Sequence, residues 1–203
     1  MRFPALIIGL TGTFGSGKST VARIFQRLGA GMITSDAIVH GALRKGGPLY
    51  GVVGNLFKEA RTGGGQGLDR KKIAKIIFRD ARKRKQLEDI IHPYVFERLR
   101  SGIGKSRKKV IVLEVPLLFE TGFNRFCDRT IVVKSSDSAI YRRLKKKGFS
   151  IEEIRARMKA QMPLEKKIRG ADIVIDNSKS ITVTRYKVRR IWRKLHSSLK
   201  GAV

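Results

Sequence analysis

The sequence predicts an α/β fold, a five-stranded parallel sheet flanked by helices and built around a phosphate-binding loop. Three observations predict it. Gly12-Thr-Phe-Gly15-Ser16-Gly17-Lys18-Ser19 meets the pattern G-x-x-x-x-G-K-[ST], with an apolar run (5–10) before it and a helix-like segment (21–28) after it. Short apolar runs at 31–33, 130–133 and 173–175 alternate with stretches of helical period. The segment 110–119 is almost continuously apolar and β-branched at its start, as expected of a central parallel strand covered on both faces.

The loop's composition follows from its task. A backbone that wraps a polyphosphate must visit positive φ and bring its N–H groups close to the oxygens, which Gly12, Gly15 and Gly17 allow. The helix that begins near Lys18 aims unpaired N–H groups and its positive dipole end at the same anion. In this pattern Lys18 reaches the β- and γ-phosphates of ATP and the Ser19 hydroxyl ligates Mg²⁺; Ser16 lies in the cradle and Thr20 adds a hydroxyl near the α-phosphate. A dinucleotide-binding reading fails because the third glycine and the ribose-binding acid are missing. A protein-kinase reading fails for want of H-R-D and D-F-G.

In chain order, the first helix should end at Gly29, and Asp36 follows the second strand, 31–33. Ligands of open parallel sheets sit beyond the carboxyl ends of strands, so Asp36 is a candidate to orient an acceptor hydroxyl and take its proton; the alternative is a plain helix N-cap before 37–43. Residues 46–67 read as a glycine-dense loop apart from 50–57. Helices are expected after Asp69 and over 82–91, with a break at His92-Pro93 and a new helix from Tyr94. Glu114, at the end of the apolar strand, stands where an acid often positions Mg²⁺ or its water; the alternative is a carboxylate that caps nearby N–H groups. The basic helix carrying Arg142, a second helix opened by the capping box Ser150-x-x-Glu153, and a third from Pro163 to Gly170 read as a lid, in which Arg142 and, secondarily, Arg157 are the candidate cations. The final helix, 181–199, should bury Val188, Ile191, Trp192, Leu195 and Leu199 and expose its basic residues.

A chain of 203 residues with one cysteine suits one domain in a reducing compartment. The N-terminal apolar run passes straight into the loop without a cleavage site, and no stretch reaches the roughly 20 apolar residues that a membrane span needs. The expectation is therefore a cytoplasmic monomer or weak oligomer without membrane contact. The net charge of +29 reads either as an anionic partner larger than a nucleotide, such as RNA, or as a general bias toward basic residues on solvated faces. Either way it implies salt-sensitive, nonspecific adhesion to nucleic acid, and the basic runs at 79–85, 105–109 and 142–147 contain no interleaved aromatics of the kind that stack bases.

Taken together, these segments resemble the dephospho-coenzyme A kinases. The resemblance rests on Gly9 through Thr20, Asp36-Ala-Ile, Leu68-Asp69-Arg70, His92-Pro93, Glu114-Val-Pro-Leu-Leu-Phe-Glu120, Gln161-Met-Pro-Leu-Glu-Lys-Lys167 and Ala171-Asp172 through Asn177, in that order. It implies a P-loop kinase fold with a core (1–36, 108–140, 171–203), a helical acceptor-binding insertion (37–107) and a lid (141–170). It also implies transfer of the ATP γ-phosphoryl group to the ribose 3′-hydroxyl of dephospho-coenzyme A, the last step of coenzyme A synthesis. By the same resemblance Asp36 is the base, Lys18 and Arg142 stabilise the transferring group, Asn177 lies near the adenine, and Asp69, Arg70, His92 and Glu114 belong to the substrate side. Three positions depart from the family's pattern: Thr34 replaces the first acid of an Asp-x-Asp pair, His40 stands for an arginine, and Lys146 for a lid arginine. The rival readings are another P-loop small-molecule kinase, for a nucleotide or sugar, and a basic nucleic-acid-binding P-loop ATPase.

Overall fold

The structure, a computed structural model, describes residues 5–62 and 67–200, the side chains of 198–200 excepted. Of the expectations above, the burial of Leu199, the residues at the extreme N-terminus and the stretch 63–66 of the glycine-dense loop lie outside the described residues.

The sheet holds β1 (Leu6–Gly12), β2 (Gly31–Thr34), β3 (Val110–Glu114), β4 (Arg129–Lys134) and β5 (Ile173–Asp176) in the order β2-β3-β1-β4-β5. All five strands run parallel. The most apolar strand, β3, is buried at every position, and β1 beside it pairs Leu6 with Val110 through Leu10 with Glu114. β1 is therefore central, with β3 on one side and β4 on the other, and its carboxyl end opens at the point where the chain's crossovers change direction.

One face of the sheet is covered by α1 (Lys18–Arg27) and α9 (Ile181–Lys200): Ile8 and Leu10 pack with Val21, Ala22, Phe25, Val188 and Leu195. α1 stops where predicted, at Leu28, because Gly29 takes φ 110°. Three helices lie between β4 and β5 in sequence: α6 (Asp137–Lys145), α7 (Ile151–Lys159) and α8 (Leu164–Arg169). α7 carries the expected reciprocal cap, with Glu153 N–H donating to Ser150 Oγ and Ser150 N–H donating to Glu153 Oε2.

The chain divides into two compact units, 1–33 with 103–203, and 34–102. The second is helical: α2 (Ser35–Leu43), α3 (Tyr50–Leu56), a 3₁₀ turn at Lys58–Ala60, α4 (Arg70–Arg79) and most of α5 (Ala81–Lys105). It has its own core, in which Leu43, Val53, Phe57, Ala60, Leu68, Ile73 and Leu87 are buried together.

One expectation fails here. α5 does not break at His92-Pro93 but runs uninterrupted from Ala81 to Lys105 with Pro93 inside it. A proline in a helix interior costs about 3 kcal/mol. Against this, Leu87, Val95, Leu99 and Ile103 are all buried along one stripe that crosses the proline, and each such side chain contributes about 1.5–3 kcal/mol on burial. Periodicity read up to the proline and restarted after it concealed one continuous face.

Candidate active site

The loop after β1 has the conformation its glycines permit. Gly12, Gly15 and Gly17 take φ of 149°, 79° and 94°. At Gly12 and Gly17 a Cβ would also collide with fixed neighbours, the Val133 carbonyl oxygen and the Asn177 amide nitrogen respectively. The sequence requires glycine there for space as well as for conformation.

Lys18 opens α1 and folds back into the loop, where its buried ammonium donates to the carbonyls of Gly12 and Thr13, both at 3.0 Å. Beside it the Ser19 hydroxyl donates to Glu114 Oε1 at 2.6 Å, joining the first turn of α1 to the end of β3. Thr13 Oγ1 and Ser16 Oγ are buried with no hydrogen-bond partner among the described residues. Buried hydroxyls left unpaired are costly, and a loop that awaits the oxygens of a polyphosphate is a setting that accounts for them.

A second layer of side chains holds the loop from behind. Asn177, buried just past β5, donates from Nδ2 to the Ser16 carbonyl at 2.8 Å and accepts at Oδ1 from Thr184 at 2.8 Å. Arg143 donates to the Asn177 carbonyl at 2.6 Å and to Ser135 Oγ at 3.1 Å. Phe14 N–H donates to Gln161 Oε1 at 2.8 Å, and the Phe14 ring meets the Phe149 ring edge-on at 5.3 Å with the Arg157 guanidinium 5.1 Å from the Phe14 centroid. Lys167, fully buried on α8, pairs with Glu120 at 2.8 Å and donates to the Pro116 carbonyl at 2.9 Å. That contact ties α8 to the segment that leaves β3 just after Glu114. A cleft of about 240 Å³ opens beside Thr13 and is lined by Ser135, Asp137, Ile140, Met158 and Leu164.

Arg143, Gln161, Glu120 and Lys167 were not among the predicted site residues. Gln161, Glu120 and Lys167 fall in the motifs that carried the resemblance, whereas Arg143 sits in a run of five cations with nothing in its spacing to mark it. Arg142, the predicted cation of that run, is exposed. Arg157 lies across two rings, Phe14 and Phe149.

In the 34–102 unit the candidates behave differently. Thr34 is the N-cap of α2, its Oγ1 accepting from Ala37 N–H at 3.2 Å, so Asp36 is not the cap. Asp36 lies exposed in the first turn, with no hydrogen bond or ion pair to another described residue. Asp69 caps α4 by accepting from the N–H groups of Lys71 and Lys72, at 2.9 and 3.0 Å. The Arg70 guanidinium contacts His40 Nδ1, so the histidine that departs from the family pattern is in direct contact with a predicted acceptor-binding arginine. His92 is half-buried on α5.

Comparison with known proteins points one way. The model of a family described as dephospho-CoA kinase matches residues 6–182. A curated dephospho-CoA kinase of Aquifex aeolicus is 40% identical over 189 residues, 93% of this chain and 96% of that protein. One of Carboxydothermus hydrogenoformans is 42% identical over 193 residues, 93% of each. Among solved structures, a dephospho-CoA kinase from Campylobacter jejuni superposes with a TM-score of 0.68 at 25% identity, covering 97% of this chain and 98% of that one. A shikimate kinase from Bacteroides thetaiotaomicron, at 16% identity and a TM-score of 0.53 over 94% and 98% of the two chains, shares the fold.

Proposed function

The chain belongs to the dephospho-CoA kinase family, and from that premise we propose how its own residues transfer a phosphoryl group from ATP to the ribose 3′-hydroxyl of dephospho-CoA. The carrying observation is the 2.6 Å hydrogen bond from Ser19 to Glu114 at the mouth of a loop already shaped for phosphates. Two hard oxygen donors side by side fit Mg²⁺, with Ser19 as direct ligand and Glu114 holding the ion's water. When bound, Mg²⁺ supplies neutralisation of the β- and γ-phosphate oxygens.

The loop N–H groups and the N-terminus of α1 bind the phosphates. Lys18 needs only to exchange its Gly12 and Thr13 carbonyl partners for phosphate oxygens, a short swing because its ammonium is already inside the loop. Asp36 orients the 3′-hydroxyl and takes its proton as the new O–P bond forms and the bond to ADP breaks; its exposed carboxylate, with the capping task given to Thr34, supports this role. Arg142 closes from the lid over the transferring group, and Asp69, Arg70 and His92 serve acceptor binding. Asn177 acts on the nucleotide side through the Ser16 carbonyl that it holds. Use of ATP and a lone free thiol, Cys127, support a cytoplasmic setting. Among the described residues no helix is long and apolar enough to cross a membrane.

The test is release of ADP from ATP and Mg²⁺ with a panel of acceptors (dephospho-CoA, adenosine, shikimate, gluconate), with the acceptor's mass followed. The reading expects one added phosphate on dephospho-CoA alone. Turnover on another acceptor, with none on dephospho-CoA, overturns it.

A further inference from the structure

The charge of +29 is not spread evenly. Residues 1–35, 98–113 and 177–203 contain no Asp or Glu at all. The fold brings these three acid-free stretches together at the amino end of the sheet, where a groove of about 280 Å³ lies between the end of α1, the start of β3 and the last turns of α9. Leu6 N–H donates to the Lys109 carbonyl there, so the groove is at the start of β1, whereas the phosphate loop is at its end. Six residue steps of about 3.3 Å separate the two, about 20 Å.

The lining combines two chemistries. Arg107, Lys108 and Lys109 are consecutive and exposed, and the Lys108 stem packs over Gly31. Opposite them on α9, Trp192 and His196 lie one turn apart, with ring centroids 4.2 Å apart. Trp192 is half-buried and anchored by Phe25 at 6.3 Å, and His196 Nδ1 is shielded with no hydrogen-bond partner among the described residues. The basic stretch 105–109 carries no aromatic of its own, and the fold sets beside it Trp192, which lies within the basic helix α9. A cationic strip facing a fixed aromatic platform, with no carboxylate on its wall, is the arrangement that tracks a phosphodiester backbone and stacks bases. Two further exposed cations stand three residues before the two rings on α9, Arg189 before Trp192 and Arg193 before His196, and i, i+3 positions are neighbours on a helix surface.

We propose that this groove is a binding site for single-stranded nucleic acid, separate from the kinase site, with a base stacked on Trp192 and phosphates on Arg107 and Lys109. Trp192 is the chain's only tryptophan, so its fluorescence reports the groove directly.

The experiment titrates the full-length protein with a short oligouridylate. Saturable quenching is expected, unchanged by excess ATP and retained in Lys18→Ala. The double variant Arg107→Glu/Lys109→Glu should bind at least tenfold more weakly. Its slope of log affinity against log salt should be shallower by about 1.4, two phosphate contacts at about 0.7 each. Its ADP release should be unchanged, which shows that it is folded and that the kinase reading is tested separately. The proposal is overturned by no quenching, by quenching that ATP or Lys18→Ala abolishes, or by equal quenching by inorganic polyphosphate, which has the charge and no base. Uridine monophosphate binding as tightly as the oligomer also overturns it, in favour of a free-nucleotide site.

Discussion

The two units present their candidate residues in opposite ways. In the sheet unit, Lys18, Ser19, Arg143 and Asn177 are each held by hydrogen bonds within the protein, the last three across more than 90 residues of sequence. In the helical unit, Asp69 is spent on the cap of its own helix, Arg70 contacts a histidine, and Asp36 has no partner among the described residues. Long-range partners make a preorganised half whose geometry does not wait for substrate. A partner two or three residues away, as at Asp69, or none, as at Asp36, leaves these carboxylates to be arranged by the acceptor. Nucleotide binding should therefore depend on the rigidity of one unit, and proton transfer on a single group of the other.

The sharpest way to break this contrast is at Asp36. Asp36→Asn keeps size and removes the base, so turnover should fall by about 10²–10⁴-fold, the range for general acid–base groups. The dissociation constant of ATP should stay within about twofold, because the sheet unit is untouched. A parallel loss of ATP affinity, read by calorimetry, would mean that the two halves are not independent in function. Next comes Lys167. Removing one member of a buried ion pair leaves the other uncompensated, and Glu120 is only partly exposed. Lys167→Ala should cost about 3–5 kcal/mol in urea unfolding, with Lys167→Met milder because the side chain's volume is kept.

The phosphate loop was legible in the sequence because its glycines, lysine and serine act through backbone conformation and immediate neighbours. The five strands and the carboxyl-end placement of Glu114 followed from apolar runs of the right length, whereas the strand order did not. What escaped were partners made only by the fold. Arg143 and Arg142 are adjacent cations in a basic run, and only the turn of α6 decides which one reaches Asn177. Pro93 was read as a stop because local chemistry says so, while the buried stripe from Leu87 to Ile103 overrules it. Thr34, read as a departure from the family pattern, is a good N-cap.

Two smaller substitutions sharpen the same comparison. Asn177→Ala removes the shorter of two hydrogen bonds at both the Ser16 carbonyl and the Thr184 hydroxyl, leaving Arg143 at 3.5 Å and the Ser180 carbonyl at 3.3 Å, at about 0.5–1.5 kcal/mol for each bond lost. It should also raise KM for ATP, since it loosens the loop. Asp69→Ala removes a local cap for about 1 kcal/mol. If the helical unit uses Asp69 for acceptor binding, KM for dephospho-CoA should rise while that for ATP stays fixed. Thermal unfolding together with both steady-state constants separates the stability effect of each substitution from its effect on binding.

The smallest expected effect concerns acid, and it again sets the sheet unit apart. Asp172, at the start of β5, is pushed up by burial, but the Thr130 hydroxyl and backbone N–H that it accepts from, at 2.7 Å each, and the nearby Arg129 outweigh this and hold its carboxyl below the usual value. Asp176 is lowered chiefly by the Ser178 hydroxyl. A group whose folded pKa is depressed lends stability above its unfolded pKa and loses it as pH falls through the folded one. Both carboxylates should therefore contribute fully at neutral pH and progressively less below about pH 4, the usual Asp value. Asp172→Asn should flatten the acid limb of the stability curve and leave the neutral-pH kinetics within twofold. An unchanged acid limb would mean that the Thr130 contacts are retained by the unfolded chain or are too exposed to matter.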